Sequence, residues 1–152
     1  MRRPSTAGII SLLLLCVASV SFAGGAFTGR AVVPKDLATP DQIFDACQDA
    51  IVEAGYNINS IDKANGLLSA SHEQGTFGSK KTYTYSWNVT LRPKEAEGVT
   101  EVIMARNTTG TFTPKDLKKL YLHIFEQMKL DLTKIDITID GETKKASEWK
   151  DD

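Results

Sequence analysis

Asp41, Asp45, Asp49 and Glu53 recur every four residues, a spacing that sets four carboxylates in one row along a helix. Such a row could dock a basic partner, although charged rows are more often simply solvated faces. It does not suit calcium, because one straight helix cannot wrap its carboxylates around an ion. Tyr83, Tyr85 and Trp87 alternate along the chain and so share one face of a strand. They could line a groove for an apolar ligand. They also share that face with Val89 and Leu91, which makes core packing their first role.

Little else could do chemistry. The two histidines are His72, beside Glu73, and His123. A histidine-based zinc site needs about three or four converging ligands, and neither residue has them at ligand spacing. The stretch 75–82, Gly-Thr-Phe-Gly-Ser-Lys-Lys-Thr, has the wrong spacing for a phosphate-binding loop and precedes a strand instead of a helix. No nucleophile, base and carboxylate stand out as a set. The sequence therefore assigns no catalytic residue, no cofactor-binding residue and no metal ligand, and the chain reads as a non-enzyme.

These residues must be held by elements that the sequence announces clearly. Thr39-Pro40-Asp41-Gln42 is a capping box with proline at the first helical position. Ile43, Cys47, Ala50, Ile51 and Ala54 follow at helical spacing, and Gly55 supplies the stop. Cys47 on that apolar face behaves as a small hydrophobe. Strands are expected at 56–62 and 67–73 around the Asn65-Gly66 turn, at 82–92 and at 99–107. Thr113-Pro114 opens a second helix, in which Leu117, Leu120, Tyr121, Ile124, Phe125 and Met128 form an unbroken stripe. Ile135, Ile137 and Ile139 suggest a short fifth strand. The lead-in 24–38 shows no clear period beyond a short edge strand at 30–33, and 142–152 reads as a frayed polar tail. The expected architecture is α+β, in the order α-β-β-β-β-α(-β). One domain at 39–141 carries an antiparallel sheet of four to five strands with both helices on one face.

The first 23 residues read as an export signal. Arg2 and Arg3 give a positive start, residues 9–22 an apolar run, and Ser21-Phe22-Ala23 a cleavage site with small residues in place. That run is shorter than the ~20 residues of a spanning helix, so no membrane span is expected once the signal is removed. Leu15 before Cys16 argues against lipid attachment there. The whole chain carries a net charge of −1, and losing two arginines makes the mature chain more acidic, with no electrostatic footprint for nucleic acid. Cys47 alone then remains, which excludes an internal disulfide. Asn88 and Asn107 fit glycosylation sequons, which matter only in a secreted eukaryotic protein.

The stretch from Pro40 through Ala54-Gly55-Tyr56 to Asn65-Gly66-Leu67 resembles the opening of many small bacterial envelope domains. The helix, four strands, helix order over residues 39–130 is similar to the helix-grip domains of the C-subunit lipoprotein in the outer-membrane β-barrel assembly machine. That resemblance implies an accessory module that binds an envelope protein and catalyses nothing. This chain departs from the family in having one such domain and no convincing lipid-attachment cysteine. The functional expectation is an exported binding or accessory domain, periplasmic or secreted. The alternative is a carrier of a small apolar ligand between the second helix and the aromatic strand, with a small hydrolase as a third possibility.

Overall fold

A computed structural model describes residues 27–75, 78, 80, 82–108 and 115–151. The export signal at 1–23, Cys16, and the Thr113-Pro114 helix start lie outside these residues, as does much of the glycine-containing loop after 75. The chain runs β1 (Phe27–Pro34), α1 (Pro40–Glu53), β2 (Asn57–Asp62), β3 (Leu67–Gly75), β4 (Thr82–Lys94), β5 (Val99–Thr108), α2 (Lys115–Gln127), β6 (Asp136–Ile139), β7 (Glu142–Lys145) and α3 (Ala146–Asp151). The strands form a single antiparallel sheet in the order β2-β3-β4-β5-β1-β6-β7.

The class is α+β, but the expected sheet of four to five strands with two helices is corrected to seven strands and three α-helices among the described residues. Two segments account for the difference. Residues 27–34, taken for lead-in with a short edge strand, form β1, which lies between β5 and β6 near the middle of the sheet. Its inward residues Gly29, Ala31 and Val33 are small, so they leave only a faint apolar signature. Residues 142–151, taken for a frayed tail, form the edge strand β7 and then α3. Two apolar anchors hold them: Ala146 is fully buried, and Trp149 Nε1 donates to Ile137 O at 3.1 Å. An edge strand needs no apolar outer face, and β7 is accordingly charged.

α1 begins as its residues dictate. Gln42 N donates to Thr39 Oγ1, and Thr39 N donates back to Gln42 Oε1 at 3.0 Å, closing the capping box. Ile43, Phe44, Cys47, Ala50 and Ile51 are buried, while Ala54 is an exposed C-cap instead of the end of the apolar stripe. From α2, the buried residues are Leu117, Leu120, Tyr121, Ile124 and Phe125. Both helices face the same side of the sheet, where Leu68, Ala70, Trp87, Val89, Leu91, Val102, Met104 and Ile137 complete one core. The β2–β3 turn is pinned to that core. Gly66 O accepts from Leu91 N at 2.8 Å, and a side chain at Gly66 (φ +67°) would meet Leu91 O at 2.6 Å.

Glu101, buried on the outer face of the sheet, binds Lys94 at 2.9 Å and Arg30. Lys94 first, and Arg30 second, hold its carboxyl below the ordinary glutamate value, so it stays charged. This pairing ties β1, β4 and β5 together.

Candidate functional site

The C-terminal end of α1, the middle of α2 and the centre of the sheet enclose a cleft of about 490 Å³ that opens to solvent. Each wall follows from local folding. Gly55 (φ +86°) follows α1 and turns the chain so that Tyr56, just before β2, faces the cleft. Trp87 on β4 and Arg106 on β5 are register partners on the inner face, and together they form the floor. Asp116, Lys119, Leu120 and His123 come from one side of α2, as their three- and four-residue spacing requires.

Arg106 organises this floor. Its side chain is about 10% exposed, and Nη1 donates to Asp116 Oδ2 at 2.7 Å. Nη2 donates to Tyr56 Oη at 3.0 Å. The guanidinium also lies 5.1 Å from the Trp87 ring centre and 5.3 Å from that of Tyr85. A cation held against two aromatic faces gains quadrupole attraction while staying out of water. Tyr56 in turn meets Trp87 and His72 edge-on, with ring centres 6.3 and 5.7 Å away. At the mouth, Glu53 Oε2 accepts from Gln127 Nε2 at 2.8 Å and lies 3.2 Å from His123 Nε2. The Gln127 bond first, then that of His123, lowers the Glu53 pKa below the ordinary carboxylate value.

The sequence-marked residues are distributed unevenly around this cleft. Of the aromatic set, Trp87 lines it, Tyr85 supports Arg106 from beside it, and Tyr83 is half-buried but not among its walls. The acidic row is broken up. Glu53 is drawn to α2 at the cleft mouth, and Asp45 is bonded by Lys63 from the β2–β3 turn at 2.6 Å. Asp41 and Asp49 remain exposed, Asp41 beside a smaller hollow of about 360 Å³. His72 packs on Tyr56, whereas His123 takes part in the mouth. Sequence reasoning missed Arg106, Tyr56 and Asp116. A signal for Arg106 was present, since an arginine occupies the inward register of an otherwise apolar strand face after Val102 and Met104.

Among the described residues no group of three or more His, Cys, Asp or Glu side chains is placed to hold a metal ion, and no helix is long and apolar enough to cross a membrane. Cys47 is fully buried, and loss of hydration pushes its thiol up to about 12. The thiolate is therefore negligible at neutral pH. Maleimide is expected to leave Cys47 unlabelled in the native protein at pH 7.5 and to modify it only after denaturant is added. Mass spectrometry of both samples checks this, and rapid native labelling would refute it.

No family model matches the chain, and no curated protein matches it. Among solved structures it is similar to the crystal structure of Ara h 8.0201, with a TM-score of 0.45 and 15% sequence identity over 69% of this chain and 94% of that one.

Proposed function

We propose that this protein is an exported binding domain that takes a small, largely apolar molecule in the cleft between α2 and β4. The observation that carries the reading is the cleft itself. It has the size of a small-molecule site, an apolar wall of Ala50, Leu120 and Trp87, and a few fixed polar groups at the floor and mouth. The arginine floor is held by Asp116, Tyr56 and two rings, so the site is formed in advance and little ordering is needed on binding. The acidic row is the weaker candidate for a docking surface, because Asp45 and Glu53 already have partners within the chain. Export is supported by the pattern of Arg2, Arg3, the leucine run and Ala23. The polar groups of the cleft are assigned to orienting a ligand, and no catalytic step is assigned to them.

Native mass spectrometry of freshly purified protein is expected to show a co-purified small molecule or an empty site that accepts one. Calorimetric titration with 1-naphthaleneacetate and 1-naphthaleneethanol then reports binding. Ala54→Phe narrows the cleft from an exposed position outside the core, and binding of both probes should fall together. Binding that is unchanged in Ala54→Phe would place the probes elsewhere and defeat the reading.

A further inference from the structure

We infer that the cleft selects molecules that join a flat apolar body to one anionic group, and that Lys119 supplies the charge that pairs with it. This rests on the cleft being the binding site. Two carboxylates line it, and both are committed within the chain. Asp116 accepts from Arg106, while Glu53 accepts from Gln127 and faces His123. A cationic ligand would have to compete with bonds already made.

The donors are in a different position. Lys119 lines the cleft from an exposed site on α2, between Asp116 and His123, and makes no ion pair with any described residue. An ammonium offers three donors and accepts nothing. Tyr56 Oη accepts from Arg106 Nη2, which leaves its own hydrogen for another acceptor. The unfilled capacity around the cleft is therefore donor capacity. Leu120, Ala50 and Trp87 provide the apolar surface beside it. A carboxylate on an aromatic or alicyclic body satisfies both parts at once, with the charged end near water and the body against the wall.

Calorimetric titration of the protein at low ionic strength with 1-naphthaleneacetate and its neutral counterpart 1-naphthaleneethanol tests this. The acetate is expected to bind at least about fivefold more tightly, a charge-assisted contact discounted for its exposure. Lys119→Gln should bring the ratio to about one without weakening the alcohol. Lys134→Gln, on an exposed turn away from the cleft, should leave the ratio as it was. Equal affinities in the native protein, or a preference that survives Lys119→Gln, would overturn the inference while leaving the cleft as a site for apolar molecules. Failure of both probes to bind would overturn the two readings together.

Discussion

Replacing Tyr121 by phenylalanine is expected to destabilise the fold by about 2–4 kcal/mol, because its hydroxyl serves two main-chain groups of β5 at once. The oxygen accepts from Met104 N at 3.1 Å and donates to Val102 O at 3.0 Å, with the whole side chain buried. Phenylalanine keeps the ring but takes this partner from both backbone groups, each loss costing about 1–2 kcal/mol. Gly29 belongs to the same device. A Cβ there would lie 2.7 Å from Tyr121 Cε2, so Gly29→Ala should cost a further ~1–3 kcal/mol by overpacking. Tyr121→Phe retains that ring edge and should not rescue Gly29→Ala, whereas Tyr121→Leu should do so in part. Urea unfolding of the native protein, the three single variants and the two double variants decides the matter. A loss below about 0.5 kcal/mol for Tyr121→Phe would show that β5 finds other partners.

The same hydroxyl gives the fold an alkaline limit. Burial first of all raises the Tyr121 phenol well above its ordinary value, although the bond from Met104 N opposes this. In the folded state it therefore keeps a proton that an unfolded tyrosine gives up above about pH 10. Its stabilisation is complete below that pH and fades as pH rises further. Tyr121→Phe should flatten that part of the stability–pH curve.

What could be read in advance follows a physical pattern. α1 was legible because its capping box and apolar stripe are local signals, carried within a few residues, and α2 was legible through its apolar stripe. β4 was legible because its inner face is aromatic and branched. β1 escaped because Gly29 and Ala31 sit inward where α2 presses closest, and close packing there demands small residues. α3 escaped because a six-residue helix held by Ala146 and Trp149 has too few apolar positions to show a period.

The site divides in the same way. Trp87 could be placed on the correct face from alternation alone. Its meeting with Arg106 depends on the register of β4 with β5, and Tyr56 joins them only through tertiary folding, 50 residues away along the chain. Glu53 was visible as one of four evenly spaced acids. Only the packing of α1 on α2 separates it from Asp49 by giving it Gln127 and His123.

Asp116→Ala and Arg106→Met remove the same ion pair, yet their effects should differ widely. Without Asp116 the guanidinium stays buried on the cleft floor with its carboxylate gone, and the bond to Tyr56 and the ring faces beside it compensate in part. Breaking a buried pair from one side is strongly destabilising. Asp116 is 43% exposed, so the full figure is discounted to about 1.5–3 kcal/mol. Methionine at 106 instead fills the space between Trp87 and Tyr85 with an apolar chain and leaves Asp116 near water, in the first turn of α2 where the helix dipole favours it. That change should cost less than about 1 kcal/mol. The double variant should then resemble Arg106→Met alone, since Asp116→Ala is harmful only while the cation remains. Arg106→Met also frees Tyr56 from its tether, so probe affinity should fall in a protein that is still stably folded. Urea unfolding with probe titration separates the two effects. If Arg106→Met were the more destabilising change, the arginine would serve as a strut of the sheet, and the preformed floor would owe little to Asp116.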